Sequence, residues 1–264
     1  MMVVEIEGLR RGLIVLDTLL EHGPLNLTEL GEYTSLPLAT VMRILETLRT
    51  AGHVRRGVGK HLWRATTIKS TESWSNLAFA VSEVSAAPIM ELCRRIPWPA
   101  DVGVYENLNI QIVETSRLAS PLLSRSPTTQ TVSVIPSAIG TAILSFTTDE
   151  HRSQILQDLE SEILDHDDYK LHLLAVIKRT RARGYAEPLY GLPEGRYKDY
   201  MYNSIAMPIM HKEKAFGAIS VSWIAGVATP NKFYKAHICE LKETIEKVEN
   251  NLFELLKKKK KIEV

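Results

Sequence analysis

The sequence predicts an α+β protein in which a small helical N-terminal unit with a basic hairpin precedes a larger domain built on an antiparallel sheet. Three observations support this fold class. Residues 25–64 contain two short helical segments, a tight turn and a glycine-rich hairpin, and residues 73–95 form one glycine-free apolar-periodic segment. Beyond Pro97 the pattern changes to short alternating stretches that are rich in Val, Ile and Tyr, which are typical of strands.

The first element of residues 25–64 is a short helix that opens with a capping box. The Asn26 side chain can accept the amide of the third helical residue, and Glu29 stands where its carboxylate can reach back. We expect this helix to end near Tyr33 and residues 34–36 to form a turn. Pro37 suits the first position of the next helix, where a missing N–H has no partner to lose.

The second helix has an apolar stripe and a polar face. Val41, Ile44, Leu45 and Leu48 follow the spacing i, i+3, i+4 and i+7, so this side packs inward. The opposite side carries the candidate readers of base edges in a major groove: Leu38, Ala39, Thr40, Arg43 and Thr47. The small residues at its start would allow close approach to the groove.

A basic hairpin follows the helix, which Gly52 ends. Residues 53–56 and 61–64 are predicted to pair as two strands around glycines 57 and 59. Four of its side chains are predicted phosphate contacts: Arg55, Arg56, Lys60 and Arg64. Between Arg43 and Arg64 there are six Lys or Arg and one Glu, whereas the whole chain carries a net charge of only +1. Residues 25–64 are therefore predicted to be a winged helix-turn-helix that binds double-stranded DNA.

Two alternatives remain open for this N-terminal unit. Helix pairs with a proline at the start of the second helix also occur in helical bundles, and a winged helix can bind proteins instead of DNA. A helix over residues 8–21, with Leu9, Leu13, Leu16 and Leu20 on one face, is predicted to complete the core. Arg10 and Arg11 at its start are candidate contacts to the DNA backbone, or are simply solvated.

Composition excludes several classes of protein. The chain has 264 residues, of which 45% are hydrophobic and 24% charged, as in ordinary soluble proteins of about two domains. Cys93 and Cys239 are far apart, so neither a disulfide framework nor a zinc site is predicted, and we expect no cofactor. Neither a signal peptide nor a membrane span is predicted, which favours the cytoplasm. The lysine run 257–261 is interpreted as a solvated helix end.

The segment from Ser73 to Arg95 is predicted to be a long helix, bent or interrupted near Pro88. Its apolar stripe would pack on the second domain or on the same helix of another subunit, which makes a dimer plausible. For the remainder we expect the order β-β-α-α-α-β-β-β-α. Strands are predicted at 101–106, 109–116, 200–210 and 215–223, and helices at 137–146, 149–159, 166–183 and 231–256.

These features together resemble the IclR family of transcriptional regulators over nearly the whole chain. The resemblance rests on the capping box, Pro37, the helix over 40–48, the opening run 9–16, the turn 181–186 and the strand 204–209. It implies a DNA-binding domain at 1–68, a linker helix at 69–96 and a GAF-like effector domain at 97–264. It also implies a homodimer or dimer of dimers that binds an operator and a small organic acid, with RNA polymerase as a further candidate partner.

The stretch from Trp98 to Val102 and the overall texture are most similar to members that control aromatic-acid breakdown, particularly phenylpropionate activators. The chain departs from the family pattern in two places. Residues 134–141 replace a histidine and a Gly-Lys pair that many members carry before the helix. Residues 189–200 form a longer stretch than the pattern has, so they cannot be matched one for one. An aliphatic-acid pathway is the alternative.

The resemblance implies effector contacts at Ala138, Ile139, Ser204, Ser220 and Ser222. Amides at a helix start suit a carboxylate, because unpaired N–H groups and the helix dipole both favour an anion. Ser220 and Ser222 share one sheet face by parity, and Trp223 lies on the other face as a core residue. Alternatively, the serines are small sheet residues bonded to backbone. Trp98 and Tyr105 are candidate aromatic walls, as are Tyr190 and Tyr202, whereas Asp101 is expected to bond a hydroxyl or cap a strand.

An enzyme with an accessory winged helix is the rival class. The sequence has no Gly-x-Ser-x-Gly elbow, no phosphate-binding loop and no His-Glu-x-x-His pair, and its eight histidines are scattered. We therefore expect no catalytic residues. The expected mechanism is linkage, in which an acid bound in the C-terminal domain acts through the helix at 73–95 on the affinity for DNA or for RNA polymerase.

Overall fold

A computed structural model describes residues 6–22, 24–56, 62–65, 76–120, 131–159, 167–189 and 202–260. By its internal contacts the chain divides into two compact units, with the boundary between Ser73 and Trp74. Within the described residues, no helix is long and apolar enough to cross a membrane.

The first unit consists of three helices and a two-stranded ribbon. The helices are α1 (Glu7–His22), α2 (Leu27–Thr34) and α3 (Leu38–Thr50), and the strands are β1 (Val54–Arg56) and β2 (Trp63–Ala65). The predicted capping box is confirmed, because Glu29 N–H donates to Asn26 Oδ1 at 2.9 Å and Asn26 N–H donates to Glu29 Oε2 at 2.7 Å. Ser35 ends α2 in the left-handed region, with φ of 55°. Pro37 immediately precedes α3, one residue earlier than the first helical position.

The core of the first unit joins all three helices to the ribbon. Its buried side chains are Val15, Leu19, Leu25, Leu30, Val41, Leu45, Val54 and Trp63, with Ile44 and Leu48 packed at the edge. The predicted stripe of α3 is thereby confirmed. The predicted inner face of α1 was wrong in part: Leu16 packs at the edge of this core, but Leu9 and Leu13 are 59% and 50% exposed and the buried positions are Val15 and Leu19.

The ribbon is antiparallel and pairs Arg56 with Trp63. Leu25, just before α2, exchanges two backbone hydrogen bonds with Trp63, at 2.9 and 2.7 Å. The ribbon of β1 and β2, which is the predicted wing, is therefore bonded to the residue before α2 and also packs in the core. The predicted turn of the hairpin, including Lys60, lies outside the described residues.

The second unit contains a five-stranded antiparallel sheet in the order β5-β4-β3-β7-β6. The strands are β3 (Ala100–Glu106), β4 (Asn109–Thr115), β5 (Thr131–Ser133), β6 (Tyr202–His211) and β7 (Lys214–Ile224). The helices are α4 (Asn76–Arg95), α5 (Ala138–Phe146), α6 (Asp149–Asp158), α7 (Asp167–Arg183) and α8 (Pro230–Lys260), and a short 3-10 turn spans Arg117–Ala119.

The predicted element order was wrong in one respect. The structure has three strands, β3, β4 and β5, before α5 and two, β6 and β7, after α7, whereas the sequence predicts two strands before these helices and three after them. The predicted hairpins are confirmed. Asn107 and Leu108 both have positive φ, 50° and 65°, as a two-residue turn with the favoured twist requires.

Helix α4 is an integral part of the second unit. It runs through Pro88 and buries its apolar side against β3, β4 and α8, with Ile89 and Leu92 almost inaccessible to solvent. Of the two expected partners for this stripe, the structure shows the body of the second unit. The other side of the sheet carries α5.

Candidate DNA interface and effector cavity

The outward side of α3 presents the predicted base readers to solvent. Leu38, Ala39, Arg43 and Thr47 are exposed, and Thr40 is half-buried. The side chain of Arg43 forms no hydrogen bond or ion pair with any described residue, whereas Arg49, on another side of the helix, is paired with Glu46 at 2.7 Å. Thr47 donates its hydroxyl to the carbonyl of Arg43 at 2.9 Å. The side chain best placed to reach a base edge is therefore Arg43.

The predicted phosphate contacts differ in their surroundings. Arg56 is exposed and its guanidinium lies 5.6 Å from the centre of the Trp63 ring, in the range of a cation–π contact. Arg55 is half-buried and stands opposite Arg64 in the ribbon. Arg64 is only 5% exposed, so we leave it out of the candidate interface.

Arg10 and Arg11 both bind the carboxylate of Glu7 within the first turns of α1. The distances from Glu7 Oε1 are 2.7 Å to Arg10 Nη2 and 2.8 Å to Arg11 Nε. These two arginines lower the pKa of Glu7 to about 2. A contact to DNA would therefore compete with an existing, solvent-exposed ion pair.

The second candidate site is a cavity of about 490 Å³ between the sheet and the start of α5. Such a volume is in the range of small-molecule sites. Its described walls are Asp101, Ile112, Arg117, Thr131, Val132, Ser133, Pro136, Ser137, Ala138, Ile139, Pro188, Tyr202, Ser204, Ser220 and Ser222. All five predicted contacts of the helix start and the strands are thus brought together in one cavity.

The start of α5 places two unpaired amides in the wall of this cavity. Ser137 caps the helix by accepting the Gly140 amide at 2.9 Å and donates its own hydroxyl to Val134 O at 3.1 Å. The amides of Ala138 and Ile139 have no partner among the described residues. Gly140 allows the close packing here, because a Cβ at that position would lie 1.9 Å from the carbonyl oxygen of Val134.

The three serines lie on adjacent positions of β6 and β7. Ser204 pairs directly with Ser222, and Ser220 pairs with Asp101 of β3 on its other side. No described residue bonds their hydroxyls, so the alternative in which they are satisfied by nearby backbone finds no support among the described hydrogen bonds.

Trp223 lies on the opposite face of the sheet, as predicted from its parity. Its ring stacks on Phe233 of α8 with centroids 3.9 Å apart, and its indole N–H donates to Ala228 O at 2.9 Å.

The predicted aromatic walls are placed differently. Tyr105 shares a strand face with Asp101, but four residues along a strand span about 13 Å. It contacts α6 instead, where its ring meets His151 edge-on and its hydroxyl lies 3.4 Å from Asp158. Trp98 is half-buried before β3 and does not line the cavity, whereas Tyr202 does. Tyr190 lies outside the described residues.

Sequence reasoning missed Arg117, and it gave Asp101 only a local bonding role. The Arg117 guanidinium donates to Asp101 through Nε, at 3.0 and 3.1 Å, and through Nη2. Thr115 donates its hydroxyl to Asp101 Oδ1 at 2.6 Å. The hydroxyl bond expected for Asp101 is thus present, and the acid also places an arginine in the cavity wall.

A bulge in β4 explains why this cluster was not predictable from alternation. The register between β3 and β4 shifts at Val102 and Gly103, which are paired with Glu114 and Ile112. The extra residue in β4 brings both Ile112 and Thr115 to the cavity side, although strict alternation would separate them.

The comparisons with known proteins agree with this architecture. The model of the IclR helix-turn-helix domain matches residues 8–57, and the model of the bacterial transcriptional regulator IclR C-terminal domain matches residues 78–250.

Solved structures share the fold at low sequence identity. An IclR family transcriptional regulator from Brucella abortus is 18% identical, with 93% of this chain and 92% of that chain covered and a TM-score of 0.53. An IclR homologue from Microbacterium hydrocarbonoxydans, solved with 4-hydroxybenzoate, is 18% identical, with 93% and 98% covered and a TM-score of 0.52. Thermotoga maritima IclR is 15% identical, with 94% and 99% covered and a TM-score of 0.52. Since the C-terminal family model spans more than half of its length, the chain belongs to the IclR family of bacterial transcriptional regulators.

Proposed function

We propose that this chain is a cytoplasmic regulator without catalytic activity, whose affinity for an operator depends on a small carboxylic acid bound between the sheet and α5. The observation that carries the proposal is the meeting of two unpaired amides, Ala138 and Ile139, with three unpaired serine hydroxyls in one cavity. Five donors converge on a space of about 490 Å³, and a carboxylate needs several donors to replace its water.

The dipole of α5 adds to these donors. The amides at a helix start carry a partial positive charge, which stabilises an anion placed within the first turn. Around the polar groups the walls are apolar, with Ile112, Val132, Ile139 and the side chains of two prolines. A carboxylate with an apolar body fits this combination.

An aromatic body is the form of the acid that we favour, and control of genes for aromatic-acid breakdown is the role that goes with it. A single ring fits within a cavity of this size, and Tyr202 offers an aromatic wall. The structure of the family relative from Microbacterium hydrocarbonoxydans holds 4-hydroxybenzoate, which makes this compound a first probe here. Short aliphatic acids form the alternative class.

The DNA-binding half of the proposal rests on α3. Its exposed Arg43 has no described partner to give up on binding. Arg56 and Lys60 of the wing, together with Arg55, would hold phosphates and fix the position of α3 in the groove. The test is a mobility shift on the promoter next to the chain's own gene, in competition with unrelated DNA.

A homodimer, or a dimer of dimers, is the form in which we propose that it binds. Ile6, immediately before α1, and Leu9 and Leu13 of α1 are 71%, 59% and 50% exposed and follow helical spacing. A second copy would bury this stripe and read a second half-site, which multiplies the affinity for DNA. Light scattering on the purified protein and on a Leu9→Lys, Leu13→Lys variant tests this.

A thermal-shift screen of aromatic and short aliphatic acids tests the effector proposal. We expect the melting temperature to rise with the concentration of a bound acid, because a ligand of the native state stabilises it by mass action. Ser220→Val together with Ser222→Val should reduce the rise, and Ser153→Val, outside the cavity, is the control. If no acid stabilises the protein, the effector proposal fails.

A further inference from the structure

We infer that Arg117 is a second recognition point of the cavity and selects carboxylic acids that carry a neutral oxygen at the end remote from the carboxylate. This inference rests on the proposed effector function and adds the chemical class of the ligand. Arg117 is not among the effector contacts that the resemblance to the family implied. Its role follows from its own hydrogen bonds.

The guanidinium of Arg117 is held in place and is only partly used. It has five N–H groups in a fixed plane, and its bonds to Asp101 involve Nε and Nη2. Nη1 has no partner among the described residues. The two N–H groups of Nη1 therefore remain available, and the bonds to Asp101 fix the plane in which they lie. Since Arg117 is part of the cavity wall, a ligand in the cavity can accept from them.

Asp101 has little capacity left to accept from a ligand. Its side chain is 9% exposed. Oδ1 already accepts from Thr115 and from Arg117 Nε, and Oδ2 accepts from Nε and Nη2 of the same arginine. This end of the cavity therefore presents donors, and the matching ligand atom is an oxygen that accepts.

The ion pair of Arg117 and Asp101 decides whether the carboxylate of the ligand binds beside Arg117 or at the start of α5. A carboxylate beside Arg117 would also stand beside Asp101, the acid already paired with that arginine, and the repulsion would offset much of the attraction. The start of α5 carries no acid among the described cavity walls and offers two unpaired amides and the positive end of the helix dipole, whereas Ser220 is the strand partner of Asp101. The carboxylate therefore belongs at α5, and a phenol, ketone, alcohol or ether oxygen belongs at Arg117.

Calorimetric titration of the full chain with matched acids tests this assignment. The probes are benzoate, 3- and 4-hydroxybenzoate, and terephthalate, which differ only in the remote group. For the wild type we expect the better-fitting hydroxybenzoate to bind about tenfold more tightly than benzoate, the equivalent of one hydrogen bond to a charged group. Terephthalate should bind more weakly than that hydroxybenzoate, because its second carboxylate would face Asp101.

Arg117→Met should abolish the advantage of the hydroxyl and leave the affinity for benzoate within about threefold. Since this change leaves Asp101 buried without its partner, the double variant Asp101→Asn, Arg117→Met keeps the test valid if the single variant does not fold. Arg117→Lys should retain part of the advantage.

The outcomes separate this inference from the proposed function. If the acids bind but the hydroxyl has no effect, or if its advantage survives in the double variant, the role of Arg117 is overturned and the effector function stands. Tighter binding of terephthalate would likewise overturn the assignment of the two ends. If none of these aromatic acids binds the wild type, this inference and the aromatic form of the effector both fall, and the thermal-shift screen with aliphatic acids decides the wider effector proposal.

Discussion

The helix proposed to read DNA and the cavity proposed to bind an acid use arginine in opposite ways. Arg43 is exposed and unpaired among the described residues, whereas Arg117 lies in a cavity wall and is bonded to a buried aspartate. On an open surface water solvates a free cation until phosphates or bases replace it. In a cavity, the cost of desolvating a charge favours a cation that is paired with an acid. Such an arginine recognises a ligand through the fixed direction of its remaining N–H groups, because the acid has already neutralised its charge.

This difference implies that the two sites should respond differently to mutation. Removing the charge from the exposed site should cost binding and leave stability almost unchanged. Changing the cavity should cost stability as well as binding, because the same groups hold β3, β4 and α5 together. The following predictions test that contrast.

Gly140→Ala should have the largest effect. A Cβ at Gly140 would lie 1.9 Å from Val134 O and 2.6 Å from its carbonyl carbon, which are backbone atoms. The start of α5 must shift, and we expect a loss of stability of about 3 kcal/mol, together with loss of acid binding. Chemical denaturation measures the first effect and calorimetry the second.

Gly12→Ala is the matched control, because nothing lies within 4 Å of a Cβ there. Alanine in the helix α1 should raise stability by about 0.5 to 1 kcal/mol. Equal stability of the two alanine variants would contradict the packing described for α5.

Arg43→Ala should weaken specific DNA binding by about 1 to 3 kcal/mol if the side chain reads a base. Its exposure predicts a change in folding stability within about 0.5 kcal/mol. Arg49→Ala is the control, because Arg49 is bound to Glu46 on another side of the same helix. Fluorescence anisotropy on specific and unrelated DNA distinguishes base reading from a phosphate contact, which would weaken both equally.

Lys60→Ala tests the wing separately. Removing one phosphate contact should lower the slope of the logarithm of affinity against the logarithm of salt concentration by about 1. Affinity measured from 50 to 200 mM salt gives that slope. An unchanged slope and affinity would remove this residue from the proposed interface.

Asp101→Asn should lower the stability of the protein by about 1 to 2 kcal/mol, because Arg117 would lose the acceptor charge of its clamp. The loss is limited because the arginine side chain is 23% exposed. Glu46→Gln, which breaks the exposed pair with Arg49, should change stability little. Similar losses in both variants, measured by urea denaturation, would remove the contrast between paired and unpaired arginines.

His151 should give the smallest effect, and it depends on pH. Burial, and to a lesser extent the charge of Lys214, lowers the pKa of His151, whose Nδ1 lies 2.8 Å from Thr147 Oγ1. Its contribution to stability is present above the ordinary histidine pKa of about 6.5 and is lost as the pH falls through the lowered value. His151→Gln should therefore flatten the decline of melting temperature below pH 6.5, whereas exposed His172→Gln should not.

The local signals of the sequence predicted the first unit well. A capping box, a proline and a seven-residue apolar spacing act within one or two helical turns, so they can be recognised without knowing the rest of the fold. The inner face of α1 was assigned to four leucines because they lie at helical spacing. Packing against α2, α3 and β2 selects Val15 and Leu19 as the buried positions instead.

The cavity was only half predictable. The helix that begins after Pro136 and the parity of Ser220 and Ser222 are local, and both are confirmed. The clamp of Arg117 by Asp101 depends on a bulge in β4 and joins residues of two strands, and a period of two cannot reveal it. Tyr105 was placed in the site by its residue type, although its distance along β3 directs it to α6.

The most direct test measures the affinity of the full chain for its promoter DNA with and without a saturating acid from the thermal-shift screen. We predict a change of about fivefold or more, the usual size of a coupling free energy between two sites. The change should disappear in the Ser220→Val, Ser222→Val variant at the same acid concentration. Equal DNA affinity with and without a demonstrably bound acid would contradict the proposal that this cavity controls DNA binding.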